Sequence, residues 1–235
     1  MNPFDKVLIK FINGFAQQSW LLDKFFVFLA NNCFFKGGVI ITLIWWAWFK
    51  KNDKESKNRK LILVNLISSF FSMAFARFLA YVLPFRFRPM HNENLNFILP
   101  HGMTKTVLEG WSSFPSDHAV LYFTIATGLL FISRRVGLFA ILYTTFFIAL
   151  PRIYVGYHYP TDLIAGAIIG VIFAVLAVKY FASNKYIDKL FEWTQSKPCI
   201  FYPLFFLFSY QVADIFDGVR AIGNAISIVI EHLIN

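Results

Sequence analysis

Apolar runs close to 20 residues long recur along nearly the whole chain. A helix rising 1.5 Å per residue needs about 20 such residues to cross some 30 Å of hydrocarbon. The runs predict spans at roughly 20–31 (or a longer 7–30), then 36–49, 61–84, 117–133, 136–154, 161–181 and 200–216. Lys10, Gln17, Gln18, Asp23 and Lys24 interrupt the first of these. Residues 4–18 alternate apolar and polar positions at helical spacing, the pattern of a helix lying along the membrane interface. Residues 217–235 read similarly, because Asp217, Arg220, Asn224 and Glu231 break their apolar run. The expected fold is all-α: a polytopic transmembrane helical bundle of about six spans with amphipathic terminal segments. No repeat or low-complexity linker divides it, so residues 1–235 read as a single integral membrane domain.

Composition agrees. Apolar residues make up 57% of the 235 and charged residues 15%, against roughly 45–50% and about 25% in soluble domains. The net charge of +9 is not spread over a solvated face as nucleic-acid binding would require. It is clustered between apolar runs, where it acts as a topology signal. Lys50, Lys51, Lys54, Lys57, Arg59 and Lys60 form the strongest basic run. Arg134-Arg135 follows two spans later, and Lys179, Lys185, Lys189 and Lys197 two spans after that. The three patches are predicted on one side, the cytoplasm, with residues 85–116 and 152–160 on the other. Cys33 and Cys199 then face opposite sides and match no metal or redox spacing. Met1 to Phe15 carry Asp5, Lys6 and Lys10 and no cleavage pattern, so no removable signal peptide is expected.

Polar residues on the predicted outer side fall into three clusters. Phe85-Arg86-Phe87-Arg88-Pro89 ends the 61–84 span, and Phe114-Pro115-Ser116-Asp117-His118 opens the next. The third runs from Pro151 to Asp162 and includes Arg152, His158 and Pro160. Arginine's planar fork holds phosphate oxygens in pairs. Ser116 or Asp117 is a natural N-cap after Pro115, and the free N–H groups of a first helical turn seat anions. His118 is placed to shuttle a proton near neutral pH. Asp162, four residues after His158, lies within reach of one ring nitrogen, which leaves the other free to attack phosphorus. Taken singly, each cluster has an ordinary structural reading: Arg86 and Arg88 as headgroup anchors, His118 as a local hydrogen-bonding residue, His158 and Asp162 as a capping pair. Together on one membrane side they describe a phosphate site. His91, His101 and His232 belong to no cluster and read as structural or interfacial.

The clusters resemble the signature of the type 2 phosphatidic acid phosphatase family, which shares its site with vanadium haloperoxidases. That signature is Lys, six residues, Arg-Pro; Pro-Ser-Gly-His; then Ser-Arg, five residues, His, three residues, Asp. Here Arg88-Pro89, Pro115-Ser116-x-His118 and Arg152-x5-His158-x3-Asp162 occur in that order. The match covers roughly 77–170 and implies a phosphatase-like core at about 61–181. The resemblance implies that His158 is the nucleophile that forms a phosphohistidine, oriented by Asp162. His118 protonates the leaving lipid oxygen and then activates water. Arg88, Arg152 and Ser116, with backbone amides near Asp117, hold the phosphoryl oxygens. It implies no metal and no other cofactor.

Three positions depart from the signature. Tyr81 stands where the lysine belongs; Arg77, one turn earlier on the same helical face, and Arg86 are the candidate replacements. Asp117 stands at the glycine position, its carboxylate expected to turn away from phosphate or to cap the helix, and Pro151 replaces the serine. The implied activity is hydrolysis of a lipid phosphate or diphosphate, with undecaprenyl diphosphate the leading substrate, at the outer face of a bacterial plasma membrane. The implied partners are that lipid and the bilayer. A phosphotransferase using the same histidine, and a lipid-phosphate binding or transport protein without turnover, are the two alternatives.

Overall fold

The computed structural model describes residues 2–217. His232 and all but the first residue of the 217–235 segment lie outside the described residues. Every regular element among those described is helical. Helix α1 is Pro3–Asn13 and α2 is Trp20–Asn31, and a π-helical turn over Phe34–Gly38 leads into α3, Val39–Phe49. Helix α4, Glu55–Val82, is followed by a long loop with two short 3-10 turns, then by α5, Asp117–Ile132. Helix α6, Arg134–Tyr143, runs through a π-helical stretch into α7, Leu150–Tyr154. Helices α8, Pro160–Phe181, α9, Lys185–Ser196, and α10, Pro198–Ala213, are the last of the described elements.

Most boundaries sit within a few residues of the apolar runs. Helix α4 begins six residues before the predicted 61, because the basic stretch ahead of it is itself helix-forming and Arg59 pairs with Glu55 one turn away at 2.7 Å. The continuous 7–30 span is not formed. Gln17 adopts a left-handed conformation (φ 64°) between α1 and α2, so α1 is a separate helix. Among the described residues three stretches are long and apolar enough to cross a membrane: Glu55–Val82, Arg134–Tyr154 and Pro160–Phe181. Helix α2 and the segment Phe34–Phe49 make a fourth when taken as one span bent by 64°. The count of about six is not reached, because α5 and α10 hold only 16 residues each, about 24 Å of helix.

Helix α5 is the centre of the bundle. Its Leu121, Tyr122, Ile125 and Leu129 are buried and share one core with Ile40, Ile44 and Trp48 of α3 and Ile62 and Leu66 of α4. Helix α8 approaches α5 closely through Gly166 and Gly170. A Cβ at these positions would sit 2.7 Å from the Ser116 carbonyl and 2.6 Å from the Val120 carbonyl. Small residues and interhelical hydrogen bonds are how helices associate where water supplies no hydrophobic drive. Accordingly Asn65 donates to the Ile125 carbonyl at 3.0 Å and Ser68 to the Phe173 carbonyl at 3.1 Å. Outward positions are Phe70, Phe71, Phe75 and Phe78 on α4 and Ile164, Ile168 and Ile172 on α8, all exposed. Helix α1 inverts the pattern of a soluble helix. It buries Asp5, Ile9 and Asn13 against the bundle and exposes Phe4, Val7 and Phe11.

Antiparallel order places the C-terminal end of α4, the N-terminal ends of α5 and α8 and the end of α7 together. Lys60 at the other end of α4 pairs with Asp188 of α9 at 2.6 Å, so the basic stretches around 50–60 and 179–197 lie at the opposite end from that meeting point.

Candidate active site

The four helix ends enclose a cavity of about 400 Å³ whose walls include Arg77, Arg88, Asp117, His118, Arg152 and His158. The three sequence clusters therefore converge on one cavity.

His158 sits in the turn between α7 and α8 and is 3% exposed. Its Nδ1 lies 2.8 Å from the Ser113 carbonyl. A carbonyl can only accept, so Nδ1 carries the proton and Nε2 keeps its lone pair. Arg88 Nη1 stands 3.4 Å from that Nε2. Burial first, and the Arg88 charge second, hold the imidazole pKa below its ordinary value against the opposing pull of Asp162. His158 is thus neutral near pH 7, as a nucleophile must be.

Asp162 does not hold His158 directly. The nearest approach of its carboxylate to Nδ1 is 3.8 Å, beyond a hydrogen bond. It accepts instead from the Tyr159 N–H at 2.8 Å and from Ser113 Oγ at 2.5 Å, and Ser113's own carbonyl holds the ring. The fully buried Ser113 is therefore the link between carboxylate and imidazole. Nothing in its spacing marked it in sequence; it lies two residues ahead of the Pro-Ser block.

Arg86, expected on the phosphate, is turned the other way and does not line the cavity. Its guanidinium bonds Asp162 through Nη1 and the fully buried Asp5 of α1 through Nη2, the latter at 2.7 Å. Asp5 also accepts from Thr161 N at 3.0 Å and Thr161 Oγ1 at 2.6 Å. A pair of buried carboxylates would repel without the cation between them, so Arg86 is the bolt that joins α1 to the start of α8. No sequence signal pointed to Asp5 beyond its place in an amphipathic stretch.

Arg88, 5% exposed, donates to the carbonyls of Tyr157 at 2.7 Å, Trp111 at 3.2 Å and Ser112 at 3.2 Å. These bonds fix the fork and leave its remaining edge against His158. Arg152 is 2% exposed, and its Nη1 donates to the Ala30 carbonyl at 3.3 Å. Its buried Nε has no partner among the described residues. A buried guanidinium with an open donor is poised for an anion. The Arg152 carbonyl accepts from the N–H groups of Tyr157 and His158, tying the nucleophile's backbone to the same residue.

The helix N-terminus of α5 differs from expectation. Ser116 is buried and caps the helix, its Oγ accepting from the Ala119 N–H at 3.5 Å, and it does not line the cavity. The His118 N–H goes to Asp117 Oδ1 at 2.9 Å. Two donors of the expected anion seat are thus already taken by the protein's own side chains. Asp117 is a cavity residue rather than one turned away. It pairs with Arg77 and accepts from His118 Nδ1 at 3.0 Å. Asp117 and Arg77 are therefore ion-paired, with the buried Arg77 Nε left without a partner among the described residues, and Asp117 holds His118 by Nδ1. Tyr81, at the lysine position of the signature, is 90% exposed on the outer face of α4 and reaches nothing in the cavity.

His91 Nε2 lies 2.6 Å from the Lys105 carbonyl, and His101 Nδ1 bonds the buried Asp23 at 2.6 Å. Among the described residues no three His, Cys, Asp or Glu side chains are grouped to hold a metal ion.

Comparison with known proteins places this geometry. Undecaprenyl-diphosphatase BcrC of Bacillus subtilis is 24% identical over 173 residues, 74% of this chain and 82% of that protein. Lipid A 1-phosphatase of Rhizobium johnstonii is 28% identical over 196 residues, 79% of this chain and 71% of that protein. The crystal structure of Aquifex aeolicus LpxE is 29% identical, covers 74% of this chain and 94% of that one, and superposes with a TM-score of 0.49. The family model of the PAP2 superfamily matches residues 59–186, a stretch that holds Arg88, His118, Arg152, His158 and Asp162, and the chain is a phosphatase belonging to that superfamily.

Proposed function

We propose that the protein hydrolyses a lipid phosphate or diphosphate through a covalent phosphohistidine on His158, with undecaprenyl diphosphate as the preferred substrate. The observation that carries the mechanism is the unprotonated Nε2 of His158, 3.4 Å from Arg88 Nη1 in a cavity that His118 and Arg152 also line. The substrate preference rests on the similarity to the Bacillus subtilis undecaprenyl-diphosphatase.

In the first step His158 Nε2 forms a bond to phosphorus while the bond from phosphorus to the leaving oxygen breaks. Burial and the Arg152 charge hold the His118 pKa low; the phosphate anion raises it on binding, and His118, steadied on Asp117, then gives its Nε2 proton to that oxygen. For a diphosphate the leaving group is the lipid monophosphate. Arg88 and the open donor of Arg152 neutralise the charge that builds on the equatorial oxygens. In the second step water attacks the phosphohistidine, His118 takes a water proton, and the phosphorus–nitrogen bond breaks to release inorganic phosphate. Asp162 acts through Ser113, keeping Nδ1 protonated and the ring in place.

The basic stretches at the far end of the bundle support an orientation with that end in the cytoplasm and the cavity at the outer face of a bacterial plasma membrane. The test is rapid acid-free quenching of the purified protein with ³²P-labelled undecaprenyl diphosphate. The expected result is base-stable, acid-labile label on the protein and free phosphate as product, both abolished in His158→Ala. Phosphate release by His158→Ala at the wild-type rate refutes the mechanism. Label passed to a second lipid or a sugar in place of water marks a phosphotransferase.

A further inference from the structure

Lys36 lies outside the 59–186 stretch that the superfamily model matches and outside all three sequence clusters, yet it lines the same cavity as His118, Arg152 and His158. We infer that Lys36 is a phosphate-binding residue of this site, supplying from the α2–α3 bend the cation that the signature places at position 81. The inference rests on the phosphatase reading and extends it to a residue from a different helix.

Three observations carry it. First, the position of the motif lysine is vacated by charge: Tyr81 is exposed on the outside of α4, and the charges of its nearest substitutes are already paired, Arg77 with Asp117 and Arg86 with Asp5 and Asp162. Secondly, the Lys36 ammonium feels its neighbours through space, with no hydrogen bond to it among the described residues, and its charge acts on both Arg152 and His118. Asp117 and Asp214 act on it through space without bonding it. Cations held toward one another in a partly dry cavity repel, and an anion between them turns that repulsion into attraction on both sides. A lysine in an apolar membrane segment is costly unless it faces such a cavity.

Thirdly, the bend that carries Lys36 is nailed in place. The Phe35 carbonyl accepts from Tyr143 Oη at 2.8 Å, and Cys33 Sγ lies 3.5 Å from the Ala213 carbonyl. Gly37 lies so close to α10 and α5 that a Cβ there would be 2.4 Å from Ala213 Cα and 2.6 Å from Tyr122 Oη. The backbone on either side of Lys36 is therefore fixed by contacts that have nothing to do with its own side chain. That arrangement sets the direction of the side chain before substrate arrives, which is what a binding residue needs.

The test compares the full-length wild-type chain with Lys36→Met, which keeps the apolar stem, and with Lys36→Arg, which keeps the charge. The probes are orthovanadate as inhibitor and farnesyl diphosphate, a short lipid diphosphate, as substrate. Lys36→Met is expected to raise KM and the vanadate inhibition constant about 10- to 100-fold, the range of one lost charge-assisted hydrogen bond. kcat should change less, and Lys36→Arg should restore most of the loss. Unchanged vanadate inhibition and KM in folded Lys36→Met overturn the inference and leave the phosphatase reading standing. Equal losses in folded Lys36→Arg and Lys36→Met overturn it too, since they assign Lys36 a shape role. If Lys36→Met fails to fold, Lys36→Gln is measured against the same criteria. A wild-type chain that neither turns over a lipid phosphate nor binds vanadate refutes the phosphatase reading itself.

Discussion

Replacing Asp5 by Asn tests whether the amphipathic first helix is part of the catalytic apparatus. Asp5 is distant in sequence from every block of the site and reaches it through Arg86 and Thr161. The substitution keeps the shape and the acceptor for the Thr161 N–H, now at 3.0 Å. It removes the charge that faces Arg86 at 2.7 Å and sets an amide near the Thr161 hydroxyl. A fully buried pair stripped of one partner loses about 3–5 kcal/mol. The Arg86 side chain is 28% exposed and keeps Asp162, so we expect about 2 kcal/mol, close to one charged hydrogen bond. For a chain of this size that is an apparent Tm drop of about 4–8 °C. Freed on one side, Arg86 draws Asp162 away from Ser113 and loosens the ring of His158. We expect kcat to fall about 10-fold with KM little changed, because no group that touches phosphate has been altered. The assay is phosphate release from a lipid diphosphate in detergent, alongside thermal unfolding of the same preparation. Wild-type kcat and wild-type Tm together refute the claim that Asp5 holds Asp162. A lowered Tm with kcat intact leaves Asp5 structural and refutes its catalytic part.

The His158 pKa lies below its ordinary value through burial and the Arg88 charge, so the neutral nucleophile persists into mild acid. The acid limb of kcat/KM should fall below about pH 6.5, the unperturbed histidine value. The same shift makes the unfolded chain bind the extra proton first, so this group lowers stability as pH drops through that value. An acid limb above pH 7 in the wild-type pH profile refutes the assignment. Arg77 and Asp117 form one unit, so Arg77→Met, Asp117→Asn and their double variant should be non-additive in kcat/KM. Their coupling energy should be about 1–3 kcal/mol by double-mutant cycle, and strict additivity refutes the pairing.

The chemistry-bearing blocks were legible because each is local. Pro115-Ser116-x-His118 must cap a helix, and the third cluster must end one helix and open another, so proximity in sequence dictates proximity in space. The apolar runs located α4, α6–α7 and α8 for the same reason: a span declares itself by length. What escaped the sequence are the bonds between distant segments. Asp5 on Arg86, Ser113 on Asp162 and Lys36 in the cavity have no periodicity or spacing to betray them, and only the antiparallel packing of the bundle brings them together. The count of spans escaped for another reason. Residues 117–133 and 200–216 are apolar enough, yet apolarity does not say whether a helix faces lipid or lies within protein, and α5 is buried at the bundle's centre.

The departures from the family signature are best understood as two exchanges rather than as separate losses. Asp117 in place of glycine would put a carboxylate beside the phosphate; Arg77, four residues before the signature's lysine position, neutralises it, and the pair together orient His118. That exchange neutralises the Arg77 charge, so Arg77 does not replace the net positive charge of the missing lysine at Tyr81. Among the described residues, Arg88 and Arg152 are then the cavity's guanidinium groups without a carboxylate partner, and Lys36 from the α2–α3 bend adds a third positive charge. A substrate carrying two phosphates has use for that third charge, and a monoester less. On this reasoning Lys36→Met should penalise a lipid diphosphate more than the matching monophosphate. Equal penalties would place the lysine on the reacting phosphoryl group instead.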